Sequence, residues 1–391
     1  MKRVLFVSAI SVCCTAAWAQ SSVTLYGIVD AGFVYVSNAG GGRQYMLSSG
    51  NMSANRWGLK GSEDLGGGLK AVFALEAGFS GTTGAMGQNG TEFGRQAYVG
   101  LANNVGTVTL GRQYPSMSDF VGTFAAAYNF AASGAGFGAH PAEIDNLDSL
   151  NRVNNAIKFT TNTYRGFSAG GTYSFGGTSG SFSKNQIWST ALGYKFGPAA
   201  FAAGYMSIDR PNFSFWGDKA NDSATGSNMT SPVIRGYSTA QKEDIASAGA
   251  SYTFGPAVVA IVYSNVRFKD LGSVAVTGLT PTAASNRGNA AFNTYETNVR
   301  YSVTPSIQLG ASYAYTRNGG TNGRDGATYQ QVNIGADYLL SKQTDLYALF
   351  VYQAAAGVDS TGEKAVAAIV GTTASTSNRQ SLALVGIRHR F

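Results

Sequence analysis

The chain has little to do chemistry with. It holds two cysteines and two histidines in 391 residues. Cys13 and Cys14 both fall in a segment that reads as an export leader, so the rest of the chain has no thiol. That excludes disulfides, thiolate metal sites and a cysteine nucleophile. His140 and His389 are far apart, and a hydrolase needs a base beside its nucleophile. His140 reads as an ordinary loop histidine and His389 as an interfacial one. No enzyme, cofactor or metal site is expected. The acid-containing loops lack the ligand spacing of an EF-hand. Gly66-Gly67-Gly68 lacks the Lys-Ser/Thr of a phosphate loop and sits in a turn. Long hydrophobic runs are missing too: nothing after the leader approaches the ~18 apolar residues that identify a membrane helix. Proline is scarce at 8 residues. The net charge of +7 is spread along the chain rather than massed. With export implied, that argues against a nucleic-acid partner.

The leader is the basic Met1-Lys2-Arg3, the apolar stretch from Val4 to Val12, and the A-x-A pattern Ala17-Trp18-Ala19. Cleavage is expected after Ala19, leaving one domain over 20–391. What is abundant is glycine (51) and aromatic residues (21 Tyr, 22 Phe), a composition for strands, turns and aromatic belts. Strands are legible as period-two alternation. Val23, Leu25, Val29, Phe33 and Tyr35 share one face of the first. Ile307, Leu309, Ala311, Tyr313 and Tyr315 oppose Gln308, Gly310 and Ser312 later on. The closing segment, Gln380 to Phe391, alternates up to its terminal aromatic, as expected of a strand that must pair with the first to close a sheet.

Connections sort by length. Seven short ones are expected: Glu63–Gly68, Ala102–Gly106, Thr161–Gly166, Gly197-Pro198, Gly255-Pro256, Val303–Ser306 and Leu340–Thr344. Eight longer polar ones alternate with them: Ser37–Ala54, Ser80–Gly94, Pro115–Val153, Gly176–Asn185, Asp209–Glu243, Lys269–Phe292, Arg317–Gly326 and Gln353–Arg379. This predicts an all-β, 16-stranded antiparallel transmembrane barrel with short periplasmic turns and long external loops. Tyr194–Ala199 and Tyr252–Ala257 are near repeats, read as two similar hairpins at an aromatic girdle. A barrel this wide leaves an aqueous channel. Its third loop, about 115–153, is long enough to be functional. Phe124–Ala139 within it is Gly, Ala and aromatics without charge, which suits packing inside the lumen. Its flanks carry Asp119, Glu143, Asp145 and Asp148.

Five stretches carry a family resemblance: Ser22–Gly27, Arg56–Gly66, Gly94–Leu101, Gly106–Gln113 and Asn151–Asn155. They resemble the general diffusion porins of beta-proteobacteria. The resemblance implies a homotrimeric outer-membrane channel whose third loop folds into the barrel to form a constriction. It implies an arginine cluster on the wall, matched by Arg56, Arg95 and Arg152, and acidic groups from the loop facing it. It also matches an acidic wall position with Glu76. Alternation places Arg56 and Lys60 on the lumen face, against Trp57 and Leu59. It places Arg152 with Lys158 on that face, against Val153, Ile157 and Phe159. For Arg95 alternation decides nothing, and the resemblance alone includes it.

The expected function is passive diffusion of small hydrophilic solutes and ions across the bacterial outer membrane, with a weak preference for anions. The alternative is a channel of the same fold specific for an organic anion or a sugar. The expected partners are outer-membrane lipid and lipopolysaccharide, other copies of the chain, and, through the terminal strand and Phe391, the barrel-insertion machinery.

Overall fold

The computed structural model describes residues 22–216 and 227–391. The expected leader and part of the fifth long loop lie outside the described residues. The strands are β1 (Ser22–Ala39), β2 (Gly42–Ser49), β3 (Arg56–Gly66), β4 (Leu69–Gly78), β5 (Gln96–Ala102), β6 (Gly106–Gln113), β7 (Val153–Thr161), β8 (Phe167–Ser174), β9 (Ile187–Phe196), β10 (Ala199–Asp209), β11 (Lys242–Phe254), β12 (Ala257–Leu271), β13 (Gly288–Thr304), β14 (Ile307–Asn318), β15 (Ala327–Leu339), β16 (Thr344–Gly357) and β17 (Arg379–Arg390). All pair antiparallel in one sheet that closes on itself. β2 and β3 meet the same edge of β1, β2 along Ala31–Ala39 and β3 along Ser22–Ile28. They are two halves of one barrel strand, so the barrel has 16 strands. Closure runs from Ile28↔Arg390 to Val36↔Leu382. It extends to the terminal residue, where Gly27 and Phe391 exchange backbone hydrogen bonds of 3.0 and 3.1 Å. In lipid an unpaired strand edge is too costly to leave open.

The seven short turns stand where expected, down to Gly197-Pro198 and Gly255-Pro256. Gly197 and Gly255 hold φ of 54° and 55°, which explains the repeated glycine. Of the long connections, the first is corrected. Ser37–Ala54 is a tight hairpin through Gly40 and Gly41 (φ 64° and 105°), followed by β2. The chain then breaks over 50–55, and the buried Asp30 of β1 ties the break down. Its carboxylate accepts the N–H groups of Asn51 (3.1 Å) and Ser53 (2.8 Å) and the hydroxyl of Tyr347 (2.5 Å). The period-two signal of Arg43, Tyr45 and Leu47 was present in the sequence. It is short, and polar and glycine residues flank it on both sides.

The two faces behave as a barrel in lipid requires. Val23, Leu25, Val29, Phe33, Leu192, Ile261, Ile334 and Val385 are exposed on the outside. Glu296, Asn298, Gln331 and Asn333 are buried on the inside. What buries them is the third loop, which runs along the inner wall from β8 to β15. Its side chains need room there, and the wall supplies glycines. A Cβ at Gly204 would lie 2.7 Å from Met117, one at Gly249 2.7 Å from Phe124, and one at Gly170 2.9 Å from Phe120. Phe130 lies over Gly310 and Gly335 in the same way. Polar wall groups satisfy the loop backbone. Ser189 accepts from Met117 N (2.9 Å), Glu296 accepts from Ala126 N (2.8 Å), and Asn298 donates to Phe124 O (2.8 Å). Gln331 donates to Ala139 O (3.1 Å). The middle of the loop is therefore part of the core, which explains why Phe124–Ala139 carries no charge.

Gly310→Val should fill the seat of Phe130. Overpacking of this kind costs about 1–3 kcal/mol, and the loop has water on its other side to move into. The expected outcome is a folded barrel with altered single-channel conductance in planar bilayers. An unchanged conductance would show that Phe130 does not hold the loop.

Candidate functional site

The residues singled out from the sequence converge where the two ends of the third loop leave the wall. Arg56 opens β3, and its Nε donates to Ala54 O at 3.0 Å. Arg95 immediately precedes β5. Its backbone N–H is held by Glu76 O (3.1 Å) and its Nε by the Glu76 carboxylate (2.7 Å). Tyr26 donates to the other oxygen of Glu76 at 2.9 Å. Lys60, two alternations along β3 from Arg56, lies 5.2 Å from the centre of the Tyr26 ring. The wall thus presents three cations from the lumen face of β3 and the start of β5, with one carboxylate locked between them.

Arg152 arrives from the far end of the loop. It donates to Leu150 O (2.6 Å) and to the Tyr114 hydroxyl (2.9 Å). The alternation that predicted its direction does not hold. Asn155 has φ 49°, and two residues of β7, Asn154 and Asn155, face the single Arg112 of β6 between Gly111↔Ala156 and Gln113↔Val153. This bulge resets the parity, and Val153 is buried rather than facing out. Arg152 reaches the cluster because the loop end carries it there. Lys158, beyond the bulge, does face inward. It pairs with Asp119 and donates to Tyr114 O at 3.0 Å, which pins the helical turn Ser116–Val121. Arg56, Arg95, Arg152, Asp119 and Asp148 line one cavity of about 550 Å³, with Tyr128 of the loop also on its lining.

The remaining loop acids lie elsewhere. Asp145 is fully buried beneath the loop, accepting from His140 Nδ1 (2.6 Å) and from Ser264 of β12 (2.5 Å). Glu143 is buried too, accepting the Asp148 N–H at 2.7 Å, and it borders a separate external cavity with Trp216. The expectation that Glu143 and Asp145 face the arginines is therefore corrected: the left-handed turns at Ala142, Glu143 and Asn146 (φ 57°, 52° and 52°) turn them away from the arginine cavity, Asp145 toward the wall and Glu143 toward the separate cavity. His140 is no ordinary loop histidine. Its Nδ1 meets Asp145 and its Nε2 meets Glu296 of β13 at 3.1 Å, so it joins the loop to the wall. Tyr114, Glu296 and this role of His140 escaped the sequence reading. Only the position of Tyr114, next to a motif that carries the resemblance, could have hinted at any of them.

Burial and neighbours set the protons of the loop. Burial alone would lower His140, but the Asp145 and Glu296 carboxylates raise it well above the ordinary histidine value. Burial raises Asp145, yet His140 beside it brings it below the usual carboxylate range. Burial and the nearby Asp145 push Glu143 up to about 8. Burial and Glu143 raise Asp148 well above the ordinary range. The loop thus favours a histidinium–aspartate pair, while Glu143 and Asp148 are pushed toward their neutral forms.

The seated loop binds protons more tightly than a released one at both His140 and Glu143. Its stability is full below the unfolded value of each group and is lost as pH rises through the folded value. For Glu143 that window runs from the ordinary carboxylate value up to about 8; for His140 it starts at the ordinary histidine value and extends upward. Hydrogen-exchange protection of the third loop, corrected for intrinsic rate, should fall as pH rises through these windows. Protection that stays level would refute the assignment. His140→Ala strands two buried carboxylates, a loss of about 3–5 kcal/mol where a buried pair is broken. It should release the loop at neutral pH by the same measure.

The model of one family, the Gram-negative porins, matches residues 7–357. Outer membrane porin protein 32 of Delftia acidovorans is 30% identical over 397 residues, covering 100% of both chains. An outer-membrane porin of Bordetella pertussis is 30% identical over 413 residues, covering 96% of each. Among solved structures, an anion-selective porin from Comamonas acidovorans superposes with a TM-score of 0.73 at 25% identity, over 95% of this chain and 100% of that one. The trimer form of OmpT of Vibrio cholerae superposes with a TM-score of 0.64 at 15% identity, over 95% and 99%, a likeness of fold.

Proposed function

This chain belongs to the Gram-negative porin family of passive outer-membrane channels, and from that premise we propose that its constriction is the arginine-lined cavity and that it weakly prefers anions. The observation that carries the proposal is the fate of the opposing acids. Asp119 is engaged by Lys158, and Asp145 by His140. Glu143 and Asp148 are driven toward their neutral forms. Glu76 cancels Arg95. The balance of charge on the cavity is then positive but small, which is why the preference is for anions and also weak. A charge-lined constriction with low-dielectric walls concentrates the counter-ion, and a small hydrophilic solute passes by size and dipole rather than by a fitted site.

The Comamonas acidovorans structure described as anion-selective supports this reading by likeness. A sugar-specific channel has less support: Trp57 and Trp188 face outward, and Trp216 is buried with its indole N–H donating to Glu243 at 3.2 Å. None of these lines a lumen track. Removal of a leader over 1–19, assembly as a homotrimer, contact with lipopolysaccharide and recognition of the terminal strand by the insertion machinery complete the proposal. They are supported by family membership.

The purified protein in a planar bilayer under a salt gradient should give a reversal potential of the sign set by anions. Neutralising Arg56, Arg95 and Arg152 together should lower or reverse it. Cation preference in the wild type would sink the proposal. An unchanged permeability ratio in the triple variant would place the constriction elsewhere.

A further inference from the structure

Two of the three arginines meet at one oxygen. Arg95 Nη2 donates to the Tyr114 hydroxyl at 2.8 Å, and Arg152 Nη2 donates to the same atom at 2.9 Å. The Arg152 guanidinium also stands 4.8 Å from the centre of the Tyr114 ring. Arg95 and Arg152 come from opposite ends of the region, one before β5 and one after the third loop. Two like charges brought to one point repel unless an acceptor lies between them. The phenol oxygen is that acceptor, and its two acceptor sites are both taken by guanidinium donors.

We propose that Tyr114 is a specificity-determining residue of the channel: its phenol oxygen positions Arg95 and Arg152 as a pair on the cavity and, on losing its proton, removes one unit of their charge. The proposal rests on the arginine-cavity reading above. Tyr114 acts through the arginines and is in that sense a positioning residue. It lies just beyond β6, held by its own carbonyl, which accepts from Lys158 Nζ at 3.0 Å. The charged groups facing its phenol are Arg95, Arg152 and Arg56, with Glu76 as the opposing carboxylate. Asp119 and Asp148 face it across the cavity. Burial raises the phenol, but Arg152 and Arg95 outweigh burial and Glu76 and bring it below the ordinary tyrosine value. The sign follows: below its titration the phenol is neutral and the cavity keeps its full positive charge. Above it the phenolate cancels one arginine, and anion preference falls at a pH below that of an ordinary tyrosine.

The test is the reversal potential of the full-length protein under a KCl gradient, from about pH 6 to about pH 10, for wild type, Tyr114→Phe and Tyr114→Gln. The expected result is a wild-type anion preference that falls with rising pH, and a distinctly smaller fall in both variants, where Glu143 and His140 of the loop still titrate. Tyr114→Gln keeps an acceptor without a titrating proton, so it reads the same point if the Phe variant does not fold. Phenolate absorbance supplies an independent reading. The wild-type spectrum minus that of a folded variant should show one phenol ionising below the rest. Glu143→Gln is the control for the acid under the loop and should leave the difference between tyrosine and its variants at position 114 in place. A cation-preferring wild type overturns the arginine reading alone, because the absorbance difference still reports on Tyr114. An anion-preferring wild type whose pH profile persists undiminished in the variants, with no early phenolate in the difference spectrum, overturns the role of Tyr114.

Discussion

Everything in this molecule follows from the requirement that no backbone group be left unpaired in lipid. A sheet meets it only by closing, and here closure is completed at the terminal residue, where Phe391 and Gly27 exchange hydrogen bonds. Closing with 16 strands makes an interior too wide for wall side chains to fill. A wide lumen discriminates poorly, so narrowing it needs an inserted element. The third loop is that element, and it carries the same backbone problem into the lumen. Its amides and carbonyls are met by Ser189, Glu296, Asn298 and Gln331, side chains that alternation points inward. Each level of the fold creates the polar demand that the next one satisfies.

The glycines show how the constraint reaches the sequence. In a soluble sheet, glycine inside a strand weakens it. Here glycines on β8, β10, β11 and β14 clear the wall for Phe120, Met117, Phe124 and Phe130. Some of the high glycine content that reads at first as turns is therefore a track for the loop.

Periodicity exposed what depends on neighbours close in sequence. The turns, most of the loops, the lipid face and the inward direction of Arg56 were legible because each is fixed by a few consecutive residues. Two errors came from the same source. The bulge at Asn155 breaks the parity on which the direction of Arg152 was argued, and the hairpin at Gly40-Gly41 hides a strand inside an apparently polar loop. The contact of His140 with Glu296 spans 156 positions, and no local pattern reports it. Likewise the four acids on the loop look equivalent in the sequence. Only the fold separates Asp119 and Asp148, which face the cavity, from Glu143 and Asp145, which are buried away from it.

That separation matters because formal charge is a poor guide to the field inside a narrow pore. Counted from the sequence, the loop opposes the arginine wall almost charge for charge. In the structure an acid can be removed from that account by pairing, as Asp145 is by His140, or by burial that favours its neutral form, as Glu143 is. The two devices differ in consequence. Pairing lasts as long as the partner keeps its proton, whereas neutrality by burial ends once solution pH passes the shifted value. The histidine that seats the loop also carries that pairing, so its loss would release a buried negative charge and loosen the loop together. The geometry and the electrostatics of the lumen are coupled through a single imidazole.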